Sequence, residues 1–282
     1  MIWPYVWYGL MLVAPFCLIV ALSLSAYSVH PPYEPLVKWV AGEAVQITLH
    51  ISNYLLVLKD SFYRAAFMNS MALALISTVV CLIISFPMAY GIARSPRRSM
   101  WLLLASVPFF TSFLVRIYAW MNLLRPSGLI NQWLGSLGLG PFSLMHNPYA
   151  IIIGMVYSYL PFMIFPLYAS LEKMPPQLLE AAYDLGCRPV SAFWRITVPL
   201  ARSGILAGSS MVFIPAMGEY LIPELLGGPT ALTIGRLLWF EFFVNRDWPL
   251  SATLAILVMV ALWLPMWLGK RIVGFFQQRF GP

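Results

Sequence analysis

The sequence predicts an all-α polytopic membrane protein with six transmembrane helices, on three observations. Hydrophobic residues make up 61% of the 282 positions and charged residues 10%, the mean hydropathy is +0.80, and the apolar residues gather into runs long enough to cross a bilayer. A spanning helix takes about 20 mainly apolar residues, and runs of that kind lie at 3–27, 68–93, 101–124, 148–171, 203–223 and 250–269. A spanning β-barrel would instead show short alternating segments, which this chain lacks. The whole of 1–282 reads as a single transmembrane domain.

The first run begins at Trp3 without the basic residues that open a signal peptide, and it continues through Pro15 to Tyr27 with no small-residue cleavage site, so it is expected to be retained as a span. Segment 28–67 then forms a first long exterior loop and 224–249 a second, the latter rich in Gly, Pro and charge and suited to docking a protein from outside. Within the spans, Pro87, Pro108, Pro161, Pro166 and Pro215 each remove a backbone donor and kink or interrupt a helix.

Basic residues on the connecting segments orient the chain, because Lys and Arg are retained on the cytoplasmic side. Arg94, Arg97, Arg98, Lys173, Arg188, Arg195, Arg202, Lys270, Arg271 and Arg279 fall on one side, against Lys38, Lys59, Arg64, Arg125, Arg236 and Arg246 on the other. Acidic residues sharpen the contrast, with Glu172, Glu180 and Asp184 on the first side and Glu34, Glu43, Asp60, Glu224, Glu241 and Asp247 on the second. The first side is expected to be cytoplasmic, with both termini there. The net charge of +7 then reflects membrane topology and does not point to nucleic acid.

The cytoplasmic segment 172–202 carries the most informative pattern. Residues 178–185 combine helix-forming residues with apolar side chains at helical spacing and Gly186 as a stop, and Pro189 suits the first turn of a second helix. Two short helices would form a knob in which Ala181 and Ala182 are small enough for close approach by another protein. The segment reads Glu180, Ala181, Ala182, three residues, Gly186, nine residues, Ile196, Thr197, Val198, Pro199. That spacing resembles the EAA loop of bacterial ABC importer permeases, with Val198 standing where Leu is usual. The resemblance implies a type I importer permease whose knob docks into a separate cytoplasmic ATPase, with Glu180 as the main polar contact and Gly186, Ile196 and Pro199 framing the loop.

Two ionisable residues fall inside the spans, where a charge costs about 2.5–3.5 kcal/mol on insertion scales and normally faces a cavity or a partner. One is Arg116, in the stretch SFLVRIYAW at 112–120; the other is Glu219, placed toward the outer end of its span and followed by Tyr220. An ion pair holding two helices is the plain alternative for Arg116, whose charge would repel a cationic solute. Glu219 beside Tyr220 suits an entering ammonium, and Tyr118 and Trp120 add aromatic faces that attract cations. The stretch GEYLIPELLGGP at 218–229, NRDWP at 245–249, SFLVRIYAW, PPY at 31–33 and PFM at 161–163 are similar to the permease subunits of polyamine ABC importers, those for putrescine most of all. This resemblance implies a second, related permease, two copies of an ATPase, a periplasmic polyamine-binding protein and an inner-membrane location.

Enzyme activity in the chain itself is not expected. No phosphate-binding Gly-rich loop occurs, and no nucleophile, base and orienting residue come together. Cys17, Cys81 and Cys187 give no disulfide or metal spacing, and His30, His50 and His146 lie far apart, so neither a metal nor a cofactor is assigned. Two other readings stay open: a permease of the same architecture for spermidine or another small solute, such as an anion attracted to Arg116, and a channel or intramembrane enzyme. Most of the 11 Trp, Trp3, Trp7, Trp101, Trp263 and Trp267 among them, are read as membrane-interface or packing residues.

Overall fold

The structure is a computed structural model that describes residues 3–40, 44–140 and 142–279, with the side chains of 38–47 and 264–279 left aside. Expectations resting on the side chains of Lys38, Glu43, Trp267, Lys270, Arg271 and Arg279 therefore lie outside the described residues. The described chain is helical apart from one small hairpin. In order it forms α1 (Trp3–Ser23), β1 (Val37–Val40), β2 (Ala44–Ile47), α2 (Ser52–Lys59), α3 (Ser61–Arg94), α4 (Arg98–Ser106) and α5 (Phe113–Leu124). There follow α6 (Leu129–Ser136), α7 (Pro148–Leu171), α8 (Gln177–Asp184), α9 (Pro189–Ala192), α10 (Val198–Leu200), α11 (Arg202–Met217), α12 (Ile234–Phe243) and α13 (Trp248–Arg279).

Three of these helices, α1, α3 and α7, are long and apolar enough to cross a membrane, and two bent pairs bring the total to as many as five among the described residues. The sixth expected run, 250–269, falls on the continuous helix α13. Helix α3 starts before the expected position 68 because Asp60 accepts a hydrogen bond from the Phe62 amide (2.8 Å) and so opens a helix at Ser61. The run 101–124 is not one straight helix. Pro108 sits in a 3-10 turn at Val107–Phe110, the backbone turns extended at Thr111, and the segments on either side are bent by 89°. The run 203–223 also departs from expectation: α11 stops at Met217, after Pro215 and at Gly218, and it meets the segment Pro189–Leu200 at 68°.

The chain divides into two compact units, 1–70 with 232–282 and 71–231. In the first, α13 packs against α1, α2 and α12. Polar joints fix these helices: Tyr54 and Ser23 share a hydrogen bond (2.7 Å), and the Thr253 hydroxyl donates to the Ser23 carbonyl (3.2 Å). Much of both expected exterior loops is ordered. Strands β1 and β2 pair antiparallel from Val37 opposite Ile47 to Val40 opposite Ala44, and α12 forms inside 224–249 because Ile234, Leu237 and Glu241 share one buried face at helical spacing.

In the second unit α7 is the central element, packed against α11, α4 and α5. Helix α3 approaches it through small side chains four residues apart. Ser77 donates to Met155 Sδ (3.4 Å), Cys81 to the Val156 carbonyl (3.7 Å) and Ser85 to the Leu160 carbonyl (3.5 Å), so α3 and α7 run closely together. Cys81 is thus a packing residue. On another side Gly204 and Gly208 let α11 lie against α7. A Cβ at Gly204 would stand 2.6 Å from the Pro166 carbonyl oxygen, and one at Gly208 2.7 Å from Met163 Sδ. Gly204→Val is therefore expected to overpack this joint by roughly 1–3 kcal/mol or more. It should lower the melting temperature of the detergent-solubilised protein by several degrees, whereas Gly9→Val, at a site with nothing within 4 Å, should leave it unchanged.

Candidate functional site

Segment 172–202 folds into the expected knob. Helix α8 ends in a closed turn: Gly186, at φ 77°, donates to the Tyr183 carbonyl (2.8 Å) while Cys187 donates to that of Ala182 (2.9 Å). Pro189 then opens α9. Leu179 is buried under α8, and Ala182 is half-buried. Glu180, Ala181 and Gly186 are exposed, with Leu185 (88%), Val190 (70%) and Trp194 (65%) standing around them. The charged residues Asp184, Arg188 and Arg195 are exposed on the same knob. Ile196 is half-buried in the π-turn Phe193–Thr197, and Pro199 is exposed just beyond it.

Two contacts that sequence reasoning missed hold the base of the knob. Phe193 packs edge-on against Phe86 of α3, with ring centroids 5.1 Å apart. Arg98 donates to Glu172 at the end of α7 (2.7 Å). A phenylalanine in an apolar run gives no sign of its partner, so the first contact was not legible. The second joins two charges 74 positions apart.

The second feature is the break after α11. Tyr159 stands at the midpoint of the 24-residue α7 and donates its hydroxyl proton to Glu219 Oε2. The other oxygen, Oε1, accepts from the amides of Leu221 (3.0 Å) and Ile222 (3.4 Å), which open the next short turn. From there the chain climbs beside α7: Ile222 and Leu226 lie against Gly154, Gly227 against Ile151, and the His146 amide donates to the Leu226 carbonyl (2.9 Å). Residues 202–227 thus make one interrupted passage beside α7. This corrects the expected position of Glu219, which lies at mid-height of α7 and not near an outer end. Pro215, Gly218 and Pro223 are the breakers that could have signalled it.

The remaining pathway candidates are dispersed. Trp120 packs edge-on against Tyr157 of α7 (5.5 Å). Tyr157 and Tyr159 are about 200° apart around the helix, so Trp120 and Glu219 share a level but flank different sides of α7. Tyr118 is exposed and Tyr220 half-buried. The guanidinium of Arg116 lies over the Phe113 ring (5.5 Å), and its Nε and Nη1 are buried without a hydrogen-bond partner. The ion pair considered for it is therefore not formed among the described residues.

Outside the spans, Glu241 is buried and accepts from Tyr63 (3.1 Å) and Asn245 (2.7 Å). Asp247 caps α13 by accepting from the Leu250 amide (2.9 Å). Tyr33, Trp248 and Phe242 stack in series beside them, at 6.1 and 5.3 Å.

The family described as "Binding-protein-dependent transport system inner membrane component" matches residues 90–281. The chain belongs to this family. It is 39% identical over 237 residues to the spermidine/putrescine transport system permease protein PotB of Escherichia coli strain K12, covering 82% of this chain and 86% of that protein. Identity to PotB of Haemophilus influenzae is 38% over 210 residues, 73% of each chain. Among solved structures, a bacterial alginate ABC transporter bound to its periplasmic protein matches 99% of this chain and 93% of its own at a TM-score of 0.68 and 16% identity. The MetNI methionine ABC transporter matches 75% of this chain and 94% of its own at 0.57 and 14% identity. The fold is that of a type I importer permease, multi-pass in the inner membrane. The permease is a transport component and not an enzyme, and ATP hydrolysis belongs to a separate subunit.

Burial holds the Asp247 carboxyl above its ordinary value of 3.8, against the Leu250 amide, which lowers it, and with the Glu241 charge, which adds to the rise. The folded state then binds this proton more tightly than the unfolded chain, so the stability it contributes is present below pH 3.8 and is lost as pH rises through the raised value. Asp247→Asn keeps a good cap and removes the like-charge contact. Its melting temperature is expected to equal or exceed that of the unchanged permease at pH 7, with a flatter dependence on pH across the acid range.

Proposed function

We propose that this permease is the membrane subunit of an ATP-driven importer for polyamines, putrescine foremost, working as one domain over 1–282 with both termini in the cytoplasm. The observation that carries the reading is the carboxylate of Glu219, set at a helix break at mid-height of α7 and forming no ion pair among the described residues. Irregular backbone at membrane depth is tolerated where it is buried in protein or lines a cavity, and broken spans of this kind mark binding sites in transporters. The relatives at 38–39% identity that are spermidine/putrescine permeases support the same class of cargo.

Glu219 is the main cation contact, with Tyr220 beside it, while Tyr118 and Trp120 offer aromatic faces on another side of α7. Arg116, as a fixed cation at this level, bounds the pathway and does not bind cargo. The crown of the knob is the joint with the ATPase: Glu180 supplies the polar contact, Ala181 and Ala182 permit close approach, Gly186 sets the turn, and Ile196 and Pro199 hold its base. A second related permease, two copies of the ATPase and a periplasmic polyamine-binding protein complete the assembly. Closure of the ATPase pair pulls the knob and opens the pathway outward.

One observation favours a second reading. The unpartnered guanidinium of Arg116 suits an anion, and a molybdenum transport permease, ModB of Mycobacterium bovis, is 26% identical over 264 residues. Uptake of labelled putrescine by cells carrying the complete transporter separates the two. Unlabelled spermidine should compete while sulfate and molybdate should not; uptake of labelled molybdate with none of putrescine would establish an anion permease. In the same cells Glu180→Lys is expected to cut uptake at least tenfold while the permease still reaches the membrane. Normal uptake in that variant would remove Glu180 from the ATPase joint.

A further inference from the structure

The hydrogen bond between Tyr159 and Glu219 leaves an unusual set of groups at the helix break. A carboxylate offers about four acceptor positions, and three are used, by Tyr159, Leu221 and Ile222. Tyr159 gives its only hydroxyl proton to Glu219, so its own oxygen is left with lone pairs that no donor among the described residues fills. The break thus presents two acceptors side by side and a net negative charge. Helix α11 ends at Met217, directing its carbonyl end toward the same break, and the negative end of a helix dipole favours a cation. Phe162 adds an aromatic face one turn along α7, its ring 6.3 Å from that of Tyr159.

A primary ammonium fits these groups, since it brings one positive charge and three N–H donors to acceptors that lack both. A carboxylate, sulfate or phosphate would meet repulsion, and a quaternary ammonium would satisfy the charge but none of the acceptors. We infer that Tyr159 and Glu219 together form an ammonium subsite in the middle of the membrane, in which Tyr159 orients the carboxylate and itself accepts a hydrogen bond from the cargo. The inference rests on the cation-importer reading and adds to it a residue, a hydrogen-bond pattern and a preference for amines that carry N–H. Tyr159 is buried, with 6% of its surface exposed, so cargo reaches it only when the pathway opens.

The alternative is that the hydroxyl simply staples the interrupted passage to α7. A double-mutant cycle on the complete transporter distinguishes the two. Uptake of labelled putrescine is measured per assembled transporter, with the amount of permease and associated ATPase determined in the same membranes, for Tyr159→Phe, Glu219→Gln and both together. Each single variant should transport roughly tenfold less, as expected when a hydrogen bond to a charged group is lost, and the double variant should be no worse than Glu219→Gln alone. Tyr159→Gln, which restores a donor and an acceptor, should recover part of the uptake lost in Tyr159→Phe. Losses that multiply, normal uptake by Tyr159→Phe, or loss of assembled transporter with unchanged uptake per assembly would each overturn the subsite. If the intact permease carries no putrescine while an anion is transported, the cation-importer reading itself fails. If the intact permease carries putrescine and only the cycle is additive, the subsite alone fails.

Discussion

Inside a bilayer, water is not available to satisfy a broken helix, so every amide released by an interruption must find an acceptor within the protein. In this permease that acceptor is Glu219. Its carboxylate takes the amides of Leu221 and Ile222 and is held in turn by Tyr159 of α7, and this clamp is what allows the chain to stop at Met217 and resume alongside the same helix. The close contacts of Gly154 with Ile222 and Leu226, of Gly227 with Ile151, and of Gly204 with Pro166 and Ser170 depend on that register. A single acidic residue therefore answers a backbone problem at mid-height of α7.

The two ends of α7 illustrate how one element organises the unit around it. Asn147 caps its start by accepting from the Ala150 amide (2.9 Å), and Glu172, just past its last turn, is joined to Arg98. Between them the helix carries Pro161 and Pro166 without losing its course, because close-packed neighbours on several sides hold it in place. Small side chains on α3 and α11 permit those close approaches, and the hydroxyl and thiol groups of Ser77, Cys81 and Ser85 face protein instead of lipid.

How much of this was legible follows from the range of the interactions. Composition and run length identify helices because the bilayer imposes a length and an apolar surface on every span, so α1 and α7 were anticipated within a few residues, and α3 at its end but not at its earlier start at Ser61. Gly186 and Pro189 act locally, which is why the turn of the knob was readable with its stop and start. The break at Glu219 was only half visible: Pro215, Gly218 and Pro223 announce an interruption, but its depth is set by Tyr159, some 60 positions earlier, in a run holding several tyrosines. The 89° bend was likewise legible as a breaker at Pro108 but not as an angle, which packing against α7 decides. Arg116 stands out in the sequence as an ionisable residue within a span, yet only the structure reveals that its Nε and Nη1 are buried with no hydrogen-bond partner.

The contact between Phe193 and Phe86 carries a mechanical consequence. It fastens the knob to α3, an uninterrupted helix of 34 residues and so about 50 Å long, whose small buried face lets it lie flush against α7. If the knob is the joint with the ATPase, as proposed, a tug on it would be felt directly by α3 at Phe86 and, along the flush face of that helix, by α7. The stroke of the motor would then reach the helix that carries Tyr159 through packed side chains, without any flexible relay in between.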